Sequence, residues 1–391
     1  MKSCVIKRVF SVLCLLLAIL LISCNPVGER NTTSTAAVST TPPSLTTAQQ
    51  TTAATTAGTA TTTVGTTTTT SSEDENAEPT WILNTTNRRT YTWTDISVWQ
   101  RELTIPTTKG GDPIVISHLT DTHIIYYSKE DLADPFYKSV YDAYNNPSVN
   151  GWPLSNVKWT MKEAVVGADA VVVTGDVMSA YSPGALAKAN EYIFSKHANV
   201  MATLGNHDLA RTDVHASIRD PMSKEELRAE LAAGWCNDIT YASQVLGEKV
   251  MLITMDNGTG FHNEQSPLLS YDLQLAREEG YIVLLFFHVP LNTGRVEDNN
   301  IPPEWGNHQN WSFGTVDGYA GPNSTGADAK IYSTICKNGD IIKGIFCGHV
   351  HGDFYLEIPA KTIDGEDTMI PQYVMTPVMQ DSGHYLRITV E

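Results

Sequence analysis

Five short apolar runs in this 391-residue chain each end in an aspartate or a histidine, and no other feature narrows the possible folds as much. They lead into Leu119-Thr120-Asp121-Thr122-His123, Thr174-Gly175-Asp176, Gly205-Asn206-His207-Asp208, Phe287-His288-Val289-Pro290 and Cys347-Gly348-His349-Val350-His351. Residues 113–119, 168–174, 281–287 and 341–347 are rich in Ile, Val, Leu and Phe without alternation, the pattern of strands covered on both faces. Such strands need helices or a second sheet on each side, which places the chain in the α/β class. Metal-ligating or proton-transferring residues at five strand ends point to one shared site.

Helical patterns separate these strands. The predicted helices cover 157–166, 185–197, 223–233, 268–279 and 328–337, with Ser223 and Glu226 spaced as a capping box and Gly280 as a stop. One or two edge strands are expected before residue 105, with others at 200–204, 240–246 and 249–255 and three at the end, 354–358, 372–375 and 385–390. Residues 126–153 and 291–326 read as long loops. No internal repeat is visible, so one folded domain over residues 81–391 is expected.

Ahead of it the chain changes character. Lys2, Lys7 and Arg8 precede an apolar core from Val9 to Ile22, the layout of a secretion signal over residues 1–23. Its end, Leu21-Ile22-Ser23-Cys24, resembles the bacterial lipobox, which implies cleavage before Cys24 and a diacylglycerol on its sulfur. Residues 24–80 then form the lipidated cysteine and a Thr-rich tether, too poor in apolar residues to offset the entropy of ordering. An extracytoplasmic lipoprotein on the bacterial cell membrane is the expectation. The formal net charge of −17 argues against nucleic acid as a partner, because binding its backbone draws on clustered Lys and Arg. Small phosphate esters stay open, since bound metal can supply local positive charge.

Along a strand, residues i and i+2 share a side, so Asp121 with His123, and His349 with His351, are each expected to present two ligands to one place. Carboxylates, imidazoles and an amide oxygen form a mixed N/O set that suits Mn, Fe or Zn better than Ca or Mg. Paired cysteine ligands of a structural zinc site are missing. There are ligands enough for two ions.

Asp121-x-His123, Gly175-Asp176, Gly205-Asn206-His207-Asp208, His288 and Gly348-His349-x-His351, in order and spacing across residues 114–352, resemble the five blocks of the calcineurin-like metallophosphoesterases. The resemblance implies a four-layer α/β/β/α sandwich, two divalent or trivalent transition-metal ions (Mn, Fe or Zn) and a phosphate-ester substrate. It implies that Asp121, His123 and His351 hold one metal, Asn206, His288 and His349 the other, and that Asp176 bridges them. His207 is then no ligand but lies over the phosphate as general acid or transition-state stabiliser, oriented by Asp208. The implied reaction is hydrolysis of a mono- or diester by in-line attack of a hydroxide bridging the metals. Purple acid phosphatases resemble the same pattern but place a tyrosine ligand three residues after the second-block aspartate. Ser179 stands there and Tyr181 comes two residues too late, so an uncoloured metal pair is expected.

Gly205 is expected to permit a tight turn. His118 reads as structural, and His197, His215, His262 and His384 have no motif context. Cys347 reads as a small core residue, and a Cys236–Cys336 bridge is disfavoured because it leaves one of three cysteines unpaired. Trp305, His308 and Trp311 either line a substrate entrance or pack the long loop down. No separate substrate-binding domain of the 5′-nucleotidase kind is seen after the last core strand, which lowers a nucleotidase reading. The alternative function is a catalytically silent binding protein displayed on the same fold. Oligomeric state is not legible.

Overall fold

The computed structural model describes residues 80–83, 88–92, 97–143, 152–212, 218, 220–299, 312–314, 319–379 and 383–391. The expectations for the signal segment, Cys24, the tether, His215, Trp305, His308 and Trp311 fall outside these residues.

Two sheets stack face to face. In the first, β4 (Ile114–Leu119), β5 (Ala170–Thr174) and β6 (Val200–Thr203) run parallel towards one edge. β13 (Gly383–Val390) lies antiparallel to β4 and parallel to β3 (Ser97–Ile105), and β2 (Arg88–Thr92) and β1 (Thr80–Leu83) complete its seven strands. The second sheet orders β11 (Phe354–Lys361), β12 (Asp367–Val374), β10 (Ile342–Cys347), β9 (Ile282–Phe286), β8 (Val250–Met255) and β7 (Tyr241–Leu246), with β12, β10, β9 and β8 parallel.

The alternation of each strand divides its side chains between two layers of core. Ala170 and Val172 of β5 point inward with Ile116, Met201, Leu252, Leu284, Phe286 and Phe346, filling the space between the sheets. Val171 and Val173 point outward beneath three helices, α2 (Trp152–Ala164), α3 (Pro183–Ala189) and α4 (Lys224–Gly234). On the far side α5 (Gln265–Glu279) and α6 (Gly326–Cys336) bury Leu269, Leu273, Ile331 and Ile335 on Val283, Leu285 and Ile345. The architecture is a four-layer α/β/β/α sandwich, as the sequence led one to expect. Full burial of each such aliphatic side chain stabilises by about 1.5–3 kcal/mol, so these three clusters dominate the folding energy.

Local signals held where they were specific. Ser223 and Glu226 make a reciprocal capping box on α4, and Gly280 ends α5 in the left-handed conformation at φ 72°. His118 is a core residue: its ring lies edge-on to Phe286 and Phe346, centroids 5.7 Å away, and its Nε2 pairs with Thr174 Oγ1 at 2.8 Å. Burial lowers its pKa to about 3, so the ring is neutral. Cys236 packs on the outer face of the first sheet and Cys336 on that of the second, too far apart in the layering to bridge.

Three expectations need correction. Where one or two edge strands were expected ahead of the first core strand, β1, β2 and β3 precede β4, and β3 lies inside the sheet between β2 and β13. The 126–153 stretch is no pure loop: a further helix, α1, spans Pro135–Ala143 and buries Tyr137 and Val140, an i, i+3 pair too short to stand out. The segment expected as one helix over 185–197 is α3 followed by a π-turn at Asn190–Phe194, which points Ile193 and Phe194 inward together. Among the described residues no helix is long and apolar enough to cross a membrane.

Candidate metal centre

The carboxyl ends of β4, β5, β6, β9 and β10 lie along the same edge of the sandwich, the position where open α/β sheets place their ligands. Backbone hydrogen bonds tie the ends to one another. Asp121 N–H donates to the Gly175 carbonyl at 3.1 Å, His123 N–H to Asp176 at 2.8 Å, and Gly348 N–H to His288 at 3.0 Å.

Side chains from four of these ends form two groups. Asp121, His123, Asp176 and His351 bring one donor atom each to within 4.8 Å of the others, and Asp176, His288 and His349 do the same. Asn206 from the fifth end joins the second group, its Oδ1 standing 3.2 Å from His288 Nε2. All seven expected ligands are therefore together, with Asp176 common to both groups. The remaining distances are short: His123 Nε2 to His351 Nε2 3.2 Å, His351 Nε2 to Asp121 Oδ1 3.2 Å, His288 Nε2 to Asp176 Oδ2 3.1 Å and His349 Nδ1 to His288 Nε2 3.3 Å.

They converge for a reason other than strand alternation. β4 ends at Leu119 and β10 at Cys347, so Asp121, His123, His349 and His351 all lie beyond the strands. Each is in the left-handed region, with φ of 49°, 44°, 72° and 53°, and Asp176 is at 47°. Among the described non-glycine residues only Glu248 shares that conformation. Non-glycine residues held there cost on the order of 1 kcal/mol or more each, and such strain persists where surrounding contacts over-determine it.

The glycines of the motifs supply space. A Cβ on Gly205 would stand 2.2 Å from both the backbone nitrogen and Oδ1 of Asp176, and one on Gly348 would stand 1.8 Å from Thr120 Oγ1 and 2.1 Å from Asp121 Oδ2. Gly205 is absent from the positive-φ residues, so close approach to Asp176 replaces the expected turn as its role.

Hydrogen bonding shows what the site is built to hold. His288 Nδ1 lies 2.8 Å from the Thr174 carbonyl; a carbonyl only accepts, so Nδ1 carries the hydrogen. A neutral ring then aims the Nε2 lone pair at Asp176 Oδ2 and Asn206 Oδ1, both acceptors. His123 is held alike, Nδ1 on Ser179 Oγ at 3.1 Å and Nε2 among Asp121, Asp176 and His351. Buried lone pairs facing one another need a cation between them. A proton can stand in for it. Burial works against a charged His288, yet the Asp176 carboxylate raises its pKa to about 10. Burial likewise disfavours charge on Asp176, but His288 holds its pKa down at about 2. His349 is pushed down to about 4 by burial and by the His288 charge. The donor set fits two cations of the imidazole- and carboxylate-binding kind.

His207 and Asp208 divide differently from the expectation. His207 N–H donates to Asp176 Oδ1 at 2.9 Å, its ring lies edge-on to His123 at 4.8 Å, and its Nδ1 is held by the Ser179 carbonyl at 3.0 Å. Asp208 is fully buried and does not orient that ring. Its carboxylate accepts from the backbone N–H groups of Val177 at 3.2 Å, Met178 at 2.8 Å and Gly205 at 2.9 Å. A short acidic side chain next to His207 in sequence is better placed to bridge loops than to reach back to its neighbour. Burial and the nearby Asp176 carboxylate push its pKa up to about 7, against the pull of those three donors.

Ser179 was missed as a functional residue, although it marks the expected tyrosine position. Its hydroxyl holds His123 and its carbonyl holds His207, so one residue orients rings of two kinds. Thr120 was also missed; its hydroxyl donates to Asp121 Oδ2 at 2.6 Å, and nothing in the sequence separates it from an ordinary strand-end threonine.

A family model described as calcineurin-like phosphoesterase matches residues 114–353. Among solved structures, the chain is similar to a dimetal phosphatase from Danio rerio, at 12% identity and a TM-score of 0.43, covering 69% of this chain and 89% of that one. It is also similar to PhoD, at 12% identity and a TM-score of 0.42, covering 75% of this chain and 62% of that one, so it spans under two thirds of PhoD. No curated protein matches in sequence. With more than half of its length matched by that family model, and the blocks of the match gathered around one cluster of ligands, the chain belongs to the calcineurin-like phosphoesterases.

Proposed function

We propose that the protein is a secreted, membrane-anchored phosphoesterase with two transition-metal ions, Mn, Fe or Zn, that hydrolyses phosphate mono- or diesters. The observation that carries this reading is Asp176, a buried carboxylate common to both ligand groups. Asp121, His123 and His351 would hold one ion and Asn206, His288 and His349 the other, with Asp176 between them. When bound, the ions supply positive charge to the phosphoryl oxygens and acidify water at the site. The chain's own residues do the rest. The Thr174 carbonyl fixes the tautomer of His288, and the Ser179 hydroxyl, which donates to the His123 carbonyl at 3.2 Å, accepts from His123 Nδ1, so that Nε2 faces inward in both rings. The Ser179 carbonyl keeps the hydrogen of His207 on Nδ1, leaving Nε2 as the atom that carries a proton to the leaving oxygen. Asp208 ties Val177 and Met178 to Gly205, which supports the loop where His207 N–H donates to Asp176.

The test is hydrolysis of an aryl phosphate and a bis-aryl phosphate by purified protein supplied with Mn or Zn. Activity on the first indicates a monoesterase and on the second a diesterase. Activity on neither, with both ions bound, would favour the silent binding protein. His207→Ala should lose rate while keeping metal, and Asp176→Asn should lose both. Membrane anchoring rests on Cys24; a Cys24→Ala protein that stays membrane-bound would sink it.

A further inference from the structure

The turn after β8, Asp256-Asn257-Gly258, touches the centre without contributing a ligand. Asn257 is 4% exposed and its amide lies against the main chain of Val289, the residue after His288. Its Nδ2 donates to the Val289 carbonyl at 2.7 Å and its Oδ1 accepts from Val289 N–H at 2.9 Å. β8 and β9 pair through Thr254 and Phe286. Beyond that point the side-chain amide takes the place of a neighbouring strand, satisfying one donor and one acceptor at once.

The next residue reaches the other ligand loop. A Cβ on Gly258 would stand 2.6 Å from the carbonyl carbon of Gly205 and 3.0 Å from the nitrogen of Asn206. One turn therefore abuts the loops of both His288 and Asn206. The turn is itself fixed. Asp256, fully buried, accepts from Gly258 N–H at 3.0 Å through Oδ1, and its Oδ2 faces Arg228 of α4 and His262. Gln265 at the start of α5 donates to the Asp256 carbonyl at 2.7 Å.

We propose that Asn257, with Gly258, is the positioning residue for the Asn206–His288–His349 half of the centre, so that one ion's site can be weakened apart from the other's. The inference rests on the two-ion reading above. Only an amide fits the role: a carboxylate accepts from Val289 N–H but repels its carbonyl, and an aliphatic side chain of the same size satisfies neither. Loss of an outer-shell partner of a metal ligand weakens binding by about 10–100-fold.

The experiment is a titration of metal-free protein with Mn2+, followed by calorimetry and by metal analysis, on wild type, Asn257→Leu, Asn257→Asp and Gly258→Ala. Wild type should bind two ions. Each variant should bind one with unchanged affinity and the other about 10–100-fold more weakly. His288→Ala should lose that same ion, and adding Asn257→Leu to it should change little more. Wild type binding fewer than two ions would overturn the two-ion reading and the inference with it. Two ions bound normally by wild type and by every variant would overturn the inference alone. So would equal weakening of both ions, or loss of the fold in Asn257→Leu and Gly258→Ala alike, since those mark a residue that supports the whole sheet edge.

Discussion

Replacing Asp208 separates a role on the backbone from a role on His207. In Asp208→Ala, the N–H groups of Val177, Met178 and Gly205 lose their acceptor in a site closed to solvent. Each buried orphan donor costs about 1–3 kcal/mol. The weakest of the three, at 3.2 Å, counts least, and removing a carboxylate close to Asp176 returns part of the loss. A net destabilisation of about 3–5 kcal/mol follows. Asp208→Asn keeps one oxygen, which can serve the two donors now on Oδ2, but turns an NH2 towards Met178 N–H. It should cost about 1–2 kcal/mol. Urea unfolding with chelator present reads both without interference from metal. Rates then decide the role. If Asp208 acted only through the ring of His207, Asp208→Asn would have no further effect in a His207→Ala background. The backbone role predicts that its fold-loss persists there. Unfolding of Asp208→Ala within about 0.5 kcal/mol of wild type, the range of an inconsequential surface change, would refute the reasoning.

Other outcomes follow from the same contacts. His118 has a folded pKa of about 3 against 6.5 unfolded, so its contribution is present above pH 6.5 and is lost as pH falls, by up to about 3 kcal/mol at pH 4. Between pH 7 and 4 the unfolding free energy of wild type should fall by about that much more than that of His118→Gln; an equal fall would mean the ring is not held neutral. Gly348→Ala would drive a methyl group into Thr120 Oγ1 and Asp121 Oδ2, so it should lose metal and most activity, and full metal content by elemental analysis would contradict the packing. Chelation should lower the Tm reversibly, since an ion at 100 times its Kd stabilises by about 2.7 kcal/mol. A Tm indifferent to chelation and to added Mn or Zn would count against a metal centre.

Much of this was legible from the chain because it depends on pattern. Runs such as Ala170–Thr174 are buried on both faces, so they declare themselves without alternation, and the capping box of α4 is a local exchange between Ser223 and Glu226. The residues of the two clusters stand out as candidates because each follows the end of a strand. What stayed hidden depends on tertiary contact. Sequence order suggested that Asp208 serves its neighbour His207, whereas the fold brings Val177 and Met178 to it from some thirty residues away. Gly205 looked like a turn former because glycine is read first for its dihedrals, yet what matters there is the distance to Asp176. Asn257 gave no signal, because an isolated Asn after a strand is ordinary until Val289 is seen beside it.

The left-handed backbone at Asp121, His123, Asp176, His349 and His351 sets stability against the donor set. Glycine would relax each position, and relaxing a strained site usually raises stability while removing activity. Each such exchange would also remove a carboxylate or an imidazole from one of the two ligand groups. At these five positions the same side chain that offers a donor atom holds the backbone away from its easiest conformation.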